Sequence, residues 1–144
     1  MARLSMLTFA FLLSLSIGTA RLLYSQTIPP GEKQKIETLI KYVDEMSDTQ
    51  FMRNGRPYDA KTAATFLRRK WKANDSGVKS AHDFIDKVAT LSGTSGKPYI
   101  ICFKDGHEVK SRDVLLAELK RIEKSRTESR GLGAKRTSFA NESR

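Results

Sequence analysis

The chain has 144 residues, 39% of them hydrophobic and 8% aromatic, which suits one domain with a buried core rather than two domains or an unfolded chain. Its 26 Lys and Arg against 16 Asp and Glu give a net charge of +10, an excess that favours anionic partners. A single cysteine excludes an intramolecular disulfide, and two histidines outside any recognisable ligand spacing give no metal or cofactor motif.

Met1-Ala2-Arg3 is a basic start, Leu4 to Ile17 is apolar apart from small residues, and Gly18-Thr19-Ala20 puts small side chains where a signal peptidase cuts. Residues 1–20 therefore read as a secretory signal cleaved near Ala20, with the mature chain exported, periplasmic or secreted. The alternative is an uncleaved anchor, but a membrane-spanning helix needs about 20 apolar residues and Arg21 ends the run. Export removes nuclear and cytosolic nucleic acid as partners. Residues 21–31 close on Ile28-Pro29-Pro30-Gly31, lack periodicity and read as a linker.

Ile36, Leu39, Ile40 and Val43 follow the i, i+3, i+4, i+7 spacing of a helix with one buried face, and Met46 extends the stripe. Phe51 to Tyr58 follows, with Asn54-Gly55 at its centre. Both residues accept positive φ, so the spacing predicts a β-hairpin with a type I′ turn, and Pro57 keeps its second arm at a sheet edge. Asp59 is a natural N-cap for a second helix that buries Ala60, Ala63, Ala64, Leu67 and Trp71, with Lys61, Thr65, Arg68 and Lys72 on the opposite face.

Ser80 and Asp83 resemble a capping box ahead of a third helix with Ala81, Phe84, Ile85 and Val88 inward. After the loop Ser92-Gly93-Thr94-Ser95-Gly96, the stretches Lys97–Phe103 and His107–Lys110 read as a second hairpin turning on the two residues Asp105-Gly106. That register pairs Lys104 with His107 and Cys102 with Val109. Ser111 then caps a fourth helix with Leu115, Leu116, Leu119 and Ile122 inward.

The order helix, hairpin, helix, helix, hairpin, helix has no βαβ pattern and too few strands for a sandwich. The fold class is α+β: four helices with two short hairpins forming one small antiparallel sheet, spanning residues 32–123. Residues 32–123 carry 18 basic and 14 acidic side chains, whereas residues 124–144 carry 6 and 2 with few apolar residues. The latter read as a disordered basic tail, because they bury too little to offset the entropy of ordering.

Four ordered stretches carry a resemblance: Phe51-Met52-Arg53-Asn54-Gly55 with Tyr58; Ala63-Ala64 with Leu67-Arg68 and Lys70; Ala81 with Phe84-Ile85; and Ser95-Gly96-Lys97-Pro98-Tyr99 with Asp105-Gly106. Together they resemble an uncharacterised family of small exported bacterial proteins, a domain-of-unknown-function family, over about Ile36 to Ile122. The resemblance implies export and these domain limits, and implies no activity. Members often carry a His before the Leu-Arg pair and a Cys before the Phe-x-Arg-Asn-Gly stretch; this chain has Phe66 and Asp48-Thr49-Gln50 there. If that Cys pairs in relatives with the one matching Cys102, this chain has lost the bridge.

The candidate sites are few. Cys102 and His107, diagonal on one sheet face in the two-residue register, form a potential nucleophilic dyad, but no orienting acid or oxyanion donor accompanies them and His107 also suits a turn flank. Nor does Cys102, inside the apolar run Tyr99–Phe103, differ from a buried inert thiol. Arg53, Asn54 and Arg56 surround a tight turn, and arginine suits capture of carboxylate or phosphate. Arg68 and Lys72 form an outward basic pair. Ser95, Gly96 and Tyr99 match the Ser-Gly-x-x-Tyr pattern of periplasmic lysozyme inhibitors, which look like β-barrels rather than this fold. The chain therefore reads as a non-enzymatic exported protein binding an anionic envelope component or a soluble protein. The alternative is an inhibitor of a cell-wall hydrolase acting through Ser95 to Tyr99.

Overall fold

A computed structural model describes residues 27–141. The secretory signal and its cleavage point, expected in residues 1–20, lie outside the described residues, as do residues 21–26 of the linker and residues 142–144.

Helix α1 (Pro30–Glu45) takes in Pro30 and Gly31, which composition assigned to the linker. Proline is favoured in the first helical turn, where its missing N–H has no helical partner to lose. Pro29 precedes it in an extended conformation, φ −54° and ψ 140°. The stripe Ile36, Leu39, Ile40 and Val43 is fully buried, as its spacing predicts. Helix α2 (Ala60–Ala73) is capped by Asp59, whose carboxylate accepts from the Thr62 N–H at 2.6 Å. It buries Ala60, Ala63, Ala64, Leu67 and Trp71, and the Trp71 ring meets Phe84 edge-on at 5.9 Å.

After a 3₁₀ turn (Asp75–Gly77), helix α3 (Ala81–Phe84) begins at Ser80, whose Oγ accepts from the Asp83 N–H at 3.1 Å. It widens at once into a π-helical segment (Ile85–Ala89), a change no periodicity in the sequence announces. Thr90 Oγ1 donates to the Ile85 carbonyl at 2.7 Å and so closes this wide turn. Helix α4 (Ser111–Asn141) completes the set, and α1 packs against α2, α3 and α4.

The four strands are β1 (Gln50–Arg53), β2 (Arg56–Tyr58), β3 (Ile100–Cys102) and β4 (Glu108–Lys110). They form one antiparallel sheet in the order β2-β1-β3-β4. The expected α+β architecture of four helices and one small antiparallel sheet is therefore present. Phe51 and Ile101 pair across the centre and both are buried, with Tyr58 and Val109 flanking them in the same row. This row faces the helices.

The first hairpin turns on Asn54 (φ 54°) and Gly55 (φ 77°) with Arg53 opposite Arg56, the predicted two-residue turn. The second departs from expectation by one residue. Cys102 faces Glu108 rather than Val109, and Ile101 faces Val109. The Gly106 N–H donates to the Phe103 carbonyl and the Phe103 N–H to the His107 carbonyl, both at 2.9 Å, so Lys104-Asp105-Gly106 forms a three-residue loop. The physical reason is burial: the two-residue register turns Lys110 toward the core and Val109 to the outer face, because a one-residue slip flips every side chain.

At the C-terminus, α4 runs past Glu123 to Asn141, into the residues whose composition reads as a basic tail. Arg126 donates to the Gly31 carbonyl (3.2 Å) and to Gln34 Oε1 (2.7 Å), and Ser125 Oγ donates to the Ile122 carbonyl (2.9 Å). Lys35 joins the same two helices, bonding Glu32 at 2.7 Å and Glu123 at 2.9 Å. Glu32 in turn accepts from the Ala81 N–H at 2.8 Å and so ties the start of α3 to α1. Burial alone raises the Glu32 carboxyl, but the hydrogen bonds from Lys35 and Ala81 outweigh it and hold the group below its ordinary value.

Candidate functional site

A cleft of about 750 Å³ opens between the first hairpin, one flank of α2, the end of the π-helical segment and the loop that follows it. That volume lies within the roughly 300–1,000 Å³ typical of small-molecule sites. Phe51, Ala63 and Leu67 are buried at its base, Arg53, Tyr58, Phe66, Lys70 and Tyr99 are half-buried in its walls, and Arg69, Leu91, Gly93 and Gly96 are exposed around it. Leu91, 44% exposed, is the one large hydrophobic side chain left open among the described residues.

The walls are built by cation and ring contacts. The Arg53 guanidinium lies over the Phe66 ring, 5.2 Å from its centroid, and Phe66 meets Tyr58 edge-on at 5.2 Å. The Arg53 Nε is buried without a hydrogen-bond partner among the described residues. Lys70 reaches across from α2 to the Val88 carbonyl at 2.8 Å and the Leu91 carbonyl at 2.5 Å, while its Nζ stands 5.2 Å from the Tyr99 ring centroid and 3.5 Å from the Tyr99 hydroxyl. It fastens the end of the π-helical segment to α2. Burial first, and then the positive charge of Arg53, push the Lys70 ammonium below its ordinary range. Burial raises the Tyr99 phenol, with Arg53 partly opposing.

The hairpin tip and the loop are stitched together. Asn54 Nδ2 donates to Thr94 Oγ1 at 3.3 Å, and Ser95 Oγ donates to Asn54 Oδ1 at 2.5 Å. Gly96 adopts φ 67°, a conformation that turns the chain back toward Tyr99. The structure thus brings five of the sequence candidates to one place: Arg53, Gly96 and Tyr99 line the cleft, and Asn54 and Ser95 hold its rim.

Arg56, Arg68 and Lys72 are exposed and line no part of the cleft. The α2 cations that do are Arg69 and Lys70. A signal for Lys70 is present in the sequence, since it follows Ala63 by seven residues and Leu67 by three, which puts it on the edge of the buried stripe. A long side chain there can lay its stem on apolar surface and carry its charge to a polar partner.

The potential dyad does not assemble. Cys102 Sγ donates to Glu108 Oε1 at 3.3 Å, and burial together with the Glu108 carboxylate pushes its thiol up, away from the reactive thiolate. His107 instead stacks flat on Phe103, with ring centroids 4.2 Å apart, and its Nδ1 meets Asp105 Oδ1. Gln50 sits directly opposite Cys102 across β1 and β3, within the stretch where the resemblance implied a cysteine. Among the described residues, no three His, Cys, Asp or Glu side chains gather as a metal site would need, and no helix is long and apolar enough to cross a membrane.

Fold and cleft together define a small basic α+β protein with a recessed, cation-lined and aromatic-lined cleft. Residues 30–123 match the DUF5329 family, described as a family of unknown function, and the chain belongs to it. Over 68 residues the chain is 34% identical to the uncharacterized protein YfeK of Salmonella typhimurium, a stretch that is 47% of this chain and 57% of that protein. The chain thus spans less than two thirds of that relative's length. No solved structure matches it.

Proposed function

We propose that the protein is an exported, non-enzymatic binding protein whose cleft receives an anionic component of the cell envelope. The observation that carries this reading is convergence: the Phe51 to Gly55 stretch and the Ser95 to Tyr99 stretch, forty residues apart in sequence, are hydrogen-bonded to each other at the rim of the same cationic cleft. Export rests on the basic, apolar and small-residue order of residues 1–20. With an overall charge of +10, the chain also attracts anions at long range.

The geometry favours this reading over inhibition of a cell-wall hydrolase. An inhibitory loop must present Ser95 and Tyr99 outward, whereas Ser95 is engaged by Asn54 and Tyr99 is half-buried beside Lys70.

Co-sedimentation with isolated envelope fractions at low and high salt tests the proposal. Binding that weakens with salt and with Arg53→Gln is the expected result. Binding that survives Arg53→Gln but disappears on removal of residues 124–144 assigns the interaction to the end of α4 and overturns it. Unchanged lysozyme activity at excess protein is expected alongside.

A further inference from the structure

Five charged residues line the cleft: Arg53, Arg69, Lys70, Asp86 and Lys87. Three of them are spoken for. Asp86 accepts from Arg112 at 2.9 Å, Lys87 pairs with Asp83 at 2.5 Å and donates to the Gly77 carbonyl at 2.7 Å, and Lys70 directs its protons to two carbonyls. Arg53 differs. Phe66 fixes its guanidinium from one side, and its buried Nε has no hydrogen-bond acceptor among the described residues. Its charge also acts on Lys70, and among the described residues no carboxylate bridges this pair of cations. Such a pair is relieved by an anion, and a planar guanidinium suits the paired oxygens of a carboxylate or phosphate.

The rest of the lining has another character. Phe51, Ala63, Phe66, Leu67 and the exposed Leu91 line the same cleft, an apolar path beside the cationic wall. A free inorganic anion leaves that path bare. An anion carrying an apolar chain covers it and removes Leu91 from water.

We infer that the cleft binds an amphiphilic anion, a carboxylate or phosphate on a hydrocarbon chain, with the acidic group at the Arg53 guanidinium and the chain against Leu67, Phe66 and Leu91. This rests on the cleft being the binding site. The same chemistry belongs to a free fatty acid and to an anionic lipid headgroup with its acyl chain, and the experiment separates the two.

Titration calorimetry of the full chain below micellar concentrations, with dodecanoate, dodecyl phosphate, dodecyl maltoside and inorganic phosphate, tests the inference. The two anionic amphiphiles are expected to bind at least tenfold more tightly than the neutral amphiphile or the bare phosphate. Arg53→Gln is expected to weaken them at least tenfold, the size of a lost charge-assisted hydrogen bond. Leu91→Ser, at an exposed position where folding is not at stake, is expected to weaken them severalfold.

Inorganic phosphate binding as tightly as dodecyl phosphate, still through Arg53, overturns the amphiphile and leaves the cleft reading standing. Equal binding of dodecyl maltoside, indifferent to Arg53→Gln, overturns the anion. If no probe binds, the inference fails, and the cleft reading is then judged by envelope co-sedimentation alone. Arg53-dependent co-sedimentation with phosphatidylglycerol but not phosphatidylcholine vesicles identifies a bilayer lipid as the source. Dodecanoate binding without vesicle capture identifies a free amphiphile.

Discussion

The two hairpins meet at the centre of one sheet and are built from similar pieces, yet only the first lines the cleft with its paired strands. Its turn, Asn54-Gly55, has both residues at positive φ, so the strands close on two residues and Arg53 is delivered to a fixed position opposite Arg56. In the second, Gly106 alone has positive φ, 87°. Asp105 instead spends its carboxylate on the His107 N–H at 3.2 Å and on the His107 ring. A side chain that bonds its own backbone two residues on shapes a looser turn. One hairpin is thus specified by its turn, and the other by what its strands bury.

Truncating the core row gives the largest expected difference between them. Phe51→Ala removes a buried aromatic ring and is expected to cost about 3–5 kcal/mol, whereas Val109→Ala, half-buried in the same row, is expected to cost about 1 kcal/mol. Urea unfolding of both variants measures the gap, and equal losses would mean that the hairpins share the core evenly.

Next in size is Asn54→Ala, which forces alanine to φ near 54° and removes the bonds to Thr94 and Ser95. A loss of about 1–2 kcal/mol is expected, together with faster amide exchange at Gly96, a readout that a purely local turn defect leaves unmoved.

Asp105→Asn sharpens the comparison by giving the second turn the residues of the first. If burial sets its register, Cys102 keeps facing Glu108, cross-strand proton contacts are unchanged, and stability shifts by no more than about 0.5 kcal/mol. New contacts between Cys102 and Val109 would show that the turn governs both hairpins.

The smallest effect is pH dependence confined to one turn. The His107 backbone and ring hold the Asp105 carboxyl below its ordinary value of 3.8. A depressed carboxyl stabilises the fold above the unfolded value and loses that contribution as pH falls through the folded one. Amide exchange at His107 is therefore expected to accelerate below about pH 4, while exchange around Asn54, which carries no charge, stays level. Acid loosening of both turns alike would point to a global cause.

Much of the frame is legible in the sequence because its determinants are local. The stripe Ile36, Leu39, Ile40, Val43, the cap at Asp59 and the turn at Asn54-Gly55 each follow from spacing or from one residue's conformational freedom. The candidate site is legible in halves. Arg53, Asn54, Ser95, Gly96 and Tyr99 stand out, but their meeting depends on how β1 pairs with β3, a contact about fifty residues apart in sequence. That Arg69 and Lys70 line the cleft while Arg68 and Lys72 do not is hidden for a different reason. A helical wheel separates buried from exposed, whereas the cleft is lined by the boundary between them. The π-helical segment is hidden because Ile85, Val88 and Ala89 are buried in either helix type.

The contact between Arg126 and Gly31 has a consequence for how the chain can be rewired. It brings the beginning of α1 alongside the last turns of α4 that touch the domain. A short glycine-rich link between residues 126 and 30 then closes the polypeptide into a circle without stretching it. Reopened at Lys104-Asp105, on an exposed loop that lines no part of the cleft, such a circular permutant is expected to retain the strand order of the sheet. Reopened at Asn54-Gly55, it severs the turn that fixes Arg53, which makes the position of the break itself a probe of which loop the site can spare.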